Sequence, residues 1–212
     1  MKDLSLSEYI KSPCRTSSVP YWKQKNIKIP NGMEIVHNGE YSADDFVGYI
    51  DEPYFRLYHD LQSVRRMDRA DMDIVVGTSD LLDVFVDIIN KSYNDLSVTK
   101  DQMESYRKTP VYCPDLWVLL KDRTGDYVGC GIADYDHEVG EMILEWIQVL
   151  PSCRGRGYGQ YIVNYLLTKV QGQAKFATVS GKVYNVTSPE KMYRKCGFTG
   201  NDIWHILRKK QD

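Results

Sequence analysis

The chain has 212 residues, 42% hydrophobic and 26% charged, which suits an ordinary globular protein of one large domain, and no run approaches the roughly 18 apolar residues of a membrane-spanning helix. A formal charge of −2 argues against nucleic acid as a partner. Five cysteines, widely spread and without a C-x-x-C pair, speak against both a disulfide framework and a zinc site, and the opening segment lacks a secretory apolar run, so a cytoplasmic protein with reduced thiols, no metal and no membrane contact is expected.

In chain order, residues 1–50 carry Pro13, Pro20, Pro30 and the turn dipeptide Asn31-Gly32 with little sustained periodicity; they read as an extension or cap before a domain over 51–212. EPYFRLYHDL at 52–61 reads as an aromatic-rich strand and DIVVGTS at 73–79 as a second short one. The acidic DRADMD at 68–73 lacks the glycine and distal glutamate of a calcium loop and reads as a solvated connection. Leu81, Leu82, Phe85, Ile88, Ile89 and Tyr93 then recur at helical spacing, with Thr78 or Ser79 as cap, and a polar helix is predicted over 99–108, before Pro110. LWVLLKD at 116–122, YVGCGIADY at 127–135 and EMILEWIQVL at 141–150 are strand-like, and the turn-like RTGD and DHEVG between them predict an antiparallel meander. HEVGE at 137–141 has the outline of a zinc-protease helix start, but Glu141 stands where the second histidine must be, so it reads as a hairpin turn.

The third strand runs into PSCRGRGYGQYIVNYLL at 151–167, where three glycines and two arginines fall within six positions before an apolar helical face of Ile162, Val163, Leu166, Leu167 and Val170 that Gly172 closes. Such a loop at a helix start suits an anion, most often a phosphate. KFATVSGKV at 175–183 reads as a strand, Ser188 as the cap of a short helix that begins at Pro189 and stops at Gly197, and DIWHILRKK as the last strand. The loop is not a P-loop, because no Lys-Ser/Thr follows the glycines, and it is not the dinucleotide fingerprint, whose third glycine would fall on Gln160.

VLPSCRGRGYGQYIVNYLL resembles the acyl-CoA-binding motif of the GNAT acetyltransferase superfamily, whose pattern [QR]-x-x-G-x-[GA] is met by Arg154, Gly157 and Gly159; MYRKCGF at 192–198 is similar to that family's second signature. The likeness covers about residues 73–208, including the order of elements. It implies an α/β (α+β) fold with a mixed, mostly antiparallel central sheet flanked by helices, here with an N-terminal extension. It also implies N-acetyl transfer from acetyl-CoA to a primary amine, with the pantetheine arm filling a gap between splayed strands through main-chain hydrogen bonds. By position Ile147 and Val149 supply those groups, and the pyrophosphate sits on the amides of Arg154, Gly155, Arg156, Gly157, Tyr158 and Gly159. Arg154 and Arg156 are either direct contacts or solvated charges.

One departure stands out. Relatives often carry an Asn seven residues before the motif's tyrosine; here that place is Val186, with Asn185 one step off register and Ser188 nearby as substitute contacts to the cofactor. By resemblance Tyr193 is the general acid for the leaving thiolate, or else a packing tyrosine. Glu145 shares strand parity with Ile147 and Val149 and is the candidate base, directly or through water, or else a surface glutamate. The acceptor is expected to be a small-molecule or peptide amine, in a monomer or homodimer. The alternatives are a non-catalytic acyl-CoA sensor and an interaction module.

Overall fold

In the computed structural model, which describes residues 4–25, 27–93 and 96–210, the chain forms one eight-stranded sheet and seven α-helices among the described residues. The elements are α1 (Leu6–Lys11), α2 (Pro13–Thr16), α3 (Tyr21–Gln24), β1 (Met33–His37), β2 (Tyr49–His59), β3 (Met72–Val76), α4 (Leu82–Ser92), α5 (Lys100–Tyr106), β4 (Tyr112–Asp122), β5 (Tyr127–Asp136), β6 (Glu141–Val149), α6 (Tyr158–Val170), β7 (Phe176–Lys182), α7 (Pro189–Lys195) and β8 (Thr199–Lys209). The strand order is β1-β8-β2-β7-β6-β5-β4-β3. The pairs β1/β8, β2/β8, β3/β4, β4/β5 and β5/β6 are antiparallel, so the expected meander is present and the sheet is mostly antiparallel.

The chain divides into two compact units that do not follow chain order: one of residues 1–59, 178–194 and 198–212, the other of 60–177 and 195–197. In the second unit the meander is covered on both faces, and the alternation of β4 and β5 decides which residue meets which helix. Trp117 and Leu119 of β4, with Cys130 and Ile132 of β5, pack against Leu82, Phe85, Ile88 and Ile89 of α4 and against Met103 of α5. Burying each of those large apolar side chains is worth about 1.5–3 kcal/mol, so this face contributes substantially to the unit's stability.

The opposite face takes α6, whose Ile162, Val163, Leu166, Leu167 and Val170 are buried. The helix lies close because β5 has glycine there: a Cβ at Gly131 would meet Ile162, with Leu166 at 3.1 Å and Val118 at 3.2 Å. At α5 Thr99 and Gln102 form a capping box. Before α4 a short 3-10 turn over Ser79–Leu81 intervenes, so Thr78 precedes that turn instead of capping the α-helix itself.

The first unit holds β1, β8 and β2 side by side with α1 to α3. Residues 1–50, read above as an extension or cap with little sustained periodicity, contain three short helices and the strand β1, which joins the sheet by pairing Met33–His37 with Trp204–Arg208; residues 1–3 and 26 lie outside the described residues. The fully buried Arg56 of β2 donates from Nη2 to the Tyr9 hydroxyl at 2.7 Å, and Trp204 Nε1 donates to the Cys14 carbonyl at 2.8 Å. Those two bonds tie α1 and α2 to the strands of their own unit.

Candidate active site

The strand β6 changes character halfway along. Its residues Glu141 to Leu144 are buried, whereas Glu145 to Val149 are half-buried on both faces. The change coincides with a β-bulge: Ile132 pairs with Trp146 and the next residue, Ala133, with Leu144, which makes Glu145 the extra residue. Beyond it Ile147 lies opposite Gly131 and Val149 opposite Gly129, on the side of α6, while Trp146 and Gln148 lie opposite Ile132 and Cys130, on the side of α4. On that second side Gln148 Nε2 donates to the Tyr93 hydroxyl at 2.7 Å, and the Trp146 and Tyr93 rings meet edge-on at 6.0 Å.

A 3-10 turn over Pro151–Cys153 carries the chain into the glycine loop. Gly155 and Gly157 adopt φ of +78° and +81°, which L side chains rarely reach, and Gly157 is the N-cap of α6. Gly157 has no side chain with which to cap that first turn. Its amides, together with the helix's partial positive charge of about half a unit, are therefore open to an anion.

The two arginines of the loop do different work. Arg154 is exposed yet committed to backbone: Nε donates to the Val149 carbonyl at 3.1 Å and Nη2 to the Ser92 carbonyl at 3.0 Å, which braces the end of β6 against the last turn of α4. A carbonyl has two lone pairs, so Val149 O retains capacity for a second donor. Arg156 is exposed, and among the described residues its guanidinium makes one long bond, to Ser152 O at 3.5 Å.

A residue outside the loop completes it. Arg69 forks onto Asp71, with Nε at 3.0 Å and Nη2 at 2.7 Å from its two carboxylate oxygens, and sends Nη1 to the Arg156 carbonyl at 2.9 Å. The same guanidinium lies 4.8 Å over the Tyr158 ring. Its hydrogen bonds hold the Asp71 carboxyl below the usual carboxylate range. The segment read as a solvated connection therefore touches the site. The contact joins positions 87 residues apart, and nothing in the local sequence signals it.

Tyr193, Asn185 and Ser188 belong to the first unit, whereas Glu145, Ile147, Val149 and the loop belong to the second. Tyr193 is buried on α7, its ring 6.3 Å from Phe55 and edge-on to Phe198 at 5.9 Å. Asn185 Oδ1 closes a local turn by accepting from the Thr187 N–H at 2.9 Å and hydroxyl at 2.7 Å. Ser188 stands at φ +46° and donates its N–H to Asn185 O at 2.9 Å, and Val186 between them is fully exposed. None of the five cysteines forms a disulfide. Among the described residues no group of three or more His, Cys, Asp or Glu could hold a metal, and no helix is long and apolar enough to cross a membrane.

An antiparallel meander thus delivers its last strand into a glycine-capped helix, within a mixed α/β fold. Residues 114–200 match the sequence model of the family described as "Acetyltransferase (GNAT) domain". Among solved structures it is similar to a GCN5-related N-acetyltransferase from Sphaerobacter thermophilus (TM-score 0.68, 14% identity, covering 89% of this chain and 63% of that one). It is also similar to an acetyltransferase of the GNAT family from Colwellia psychrerythraea (TM-score 0.61, 15% identity, 82% and 64%) and to Ard1 from Thermoplasma volcanium (TM-score 0.54, 13% identity, 68% and 100%). At such identities the likeness is one of fold, and the chain spans less than two thirds of the first and second of these relatives. A comparison with curated protein sequences gives no match.

Proposed function

We propose that the protein transfers an acetyl group from acetyl-CoA to a primary amine of a small molecule or peptide, by direct attack of the amine. The observation that carries this reading is the start of α6, where Gly157 at φ +81° opens an uncapped first turn directly after a strand whose last five residues are half-buried on both faces. The residues fit a long anionic ligand of the CoA type: amides of Gly157, Tyr158 and Gly159, with the exposed Arg156, for the pyrophosphate, and the backbone of Ile147 and Val149 for the pantetheine amides. Bound acetyl-CoA supplies an activated thioester.

This chain's own residues then manage protons. An acceptor amine with a lysine-like pKa near 10.4 is only about 0.1% neutral at pH 7.4, so a proton acceptor at the site raises the reactive fraction. Glu145, the extra residue of the bulge, takes that role, directly or through a held water. Tyr193, which stands at the tyrosine of the family's second motif, gives a proton or hydrogen bond to the departing sulfur.

Thermal shift with CoA and acetyl-CoA tests binding, since a ligand at a hundred times its Kd stabilises the fold by about 2.7 kcal/mol. Release of CoA is then followed over a panel of small amines, polyamines, amino acids and lysine peptides. Binding with amine-dependent release supports the reading. Binding without release for any amine identifies a sensor, and no shift at millimolar cofactor sinks both.

A further inference from the structure

Residues 61–71, between β2 and β3, run along α6 from its end to its beginning, all within the second unit. Gln171 Nε2 donates to Leu61 O at 3.2 Å, Asn164 Nδ2 reaches Met67 Sδ at 3.5 Å, and Arg69 meets Arg156 and Tyr158. The strap is also pinned from the β4–β5 turn, where Arg123 Nε and Nη2 both donate to Ala70 O, at 3.1 and 2.9 Å. Arg69 thus has its backbone neighbour held by one arginine, two of its donors held by Asp71 and its flat face held over Tyr158.

We propose that Arg69 is the positioning residue of the anion-binding turn: it fixes the peptide between Arg156 and Gly157 in the one orientation that leaves donors, not an acceptor, in the loop. The inference rests on the reading of that turn as the CoA pyrophosphate site. A trans peptide is planar, with its C=O and N–H pointing opposite ways, so a carbonyl tied to Arg69 sends the Gly157 N–H in the other direction. Glycine at φ +81° offers little resistance of its own to rotation of that peptide, because it has no Cβ to select one well. Without Arg69 the peptide rotates, and the partial negative charge of the carbonyl competes with the bound anion.

The role needs a fork, not only a charge. Three separate donors of one planar group serve Asp71 and Arg156 at once, which an ammonium on a flexible stem cannot reproduce. Titration calorimetry with CoA, and with pantetheine, which lacks the pyrophosphate, is carried out on the wild type, Arg69→Ala, Arg69→Lys and Asp71→Asn, each checked for folding by its melting curve. The expected result is a CoA Kd raised about tenfold or more in Arg69→Ala and Arg69→Lys, and raised in Asp71→Asn as well, with pantetheine binding changed less than about twofold. The inference is overturned if folded Arg69→Ala keeps wild-type CoA affinity, if Arg69→Lys restores it, or if CoA and pantetheine weaken equally. Failure of the wild type to bind CoA at all is a different outcome, and it removes the assignment of the turn itself.

Discussion

Valine at position 157 separates a glycine needed for the cofactor from a glycine needed only for the turn. Gly157 stands at φ +81°, where a β-branched residue is strained by about 1–3 kcal/mol. The other end of the same helix supplies the control: Gly172 stands at φ +82°, and a Cβ there meets nothing within 4 Å. At Gly157 the nearest atom to an added Cβ is Arg69 Nη1 at 3.5 Å, an ordinary contact, so packing adds little to the backbone strain there either. Both variants should therefore lose comparable stability. At roughly 2–4 °C of Tm per kcal/mol for a protein of this size, each should melt about 2–12 °C lower and stay folded at 25 °C. The difference lies in the ligand. Calorimetry should give Gly157→Val a CoA Kd at least tenfold higher, about 1.4 kcal/mol, and leave Gly172→Val within about twofold of wild type. Equal CoA affinity in the two variants would refute the placing of the pyrophosphate at this turn.

Gly131→Ala forces a methyl into Ile162 and against Leu166 and Val118, so the urea midpoint should fall by the equivalent of about 1–3 kcal/mol with m unchanged; an unchanged midpoint would contradict the close approach of α6 to β5. Burial pushes the Cys196 thiol up to about 11. Its contribution to stability is thus complete below the ordinary thiol pKa of about 8.5 and is lost as pH rises towards the folded value, so Cys196→Ala should flatten the fall of Tm across that alkaline range. With only about 0.1% thiolate at pH 8, native Cys196 should react with a disulfide reagent only on unfolding, and prompt labelling of that residue in the folded protein would show the burial to be wrong. Tyr193→Phe should lower kcat by about 10² or more with CoA affinity unchanged, and Glu145→Gln should lower the rate most on the acid limb of the pH profile, where neutral amine is scarcest; a wild-type kcat or an unaltered acid limb would reassign the role concerned.

The sequence was legible where a residue's own neighbours set its conformation. Four apolar residues of α4 and five of α6 repeat over enough turns to show their period, and the meander strands were found within a few residues of their observed ends. The N-terminal helices were not found, because six, four and four residues are too short for a period to emerge. The strand β1 was missed for a different reason: its five residues are held by a partner some 170 positions later in the chain. The same distinction runs through the site. Glycines at positive φ are local requirements and can be read directly, whereas the bulge at Glu145 is visible only in the register of two paired strands. Strand parity puts Glu145 on the face of Ile147 and Val149, and it passes over the irregularity at the residue proposed to accept the proton.

Arginine shows why residue type does not fix a role. Sequence alone makes Arg154 and Arg156 two similar charges beside a glycine loop, and it leaves Arg69 out altogether. In the folded chain Arg154 neutralises the carbonyl of Val149 and Arg69 that of Arg156, so two acceptors flanking the turn are each tied to a guanidinium. An anion at this place then meets amides and the exposed Arg156, with less opposition from the neighbouring carbonyl dipoles. If the turn holds the CoA pyrophosphate as proposed, its preference for negative charge comes as much from what Arg154 and Arg69 withdraw as from what Arg156 supplies. Salt, which screens an exposed cation far more than it weakens a fixed hydrogen bond, should accordingly reduce CoA binding only modestly in the wild type and much more steeply once Arg69 is replaced by lysine.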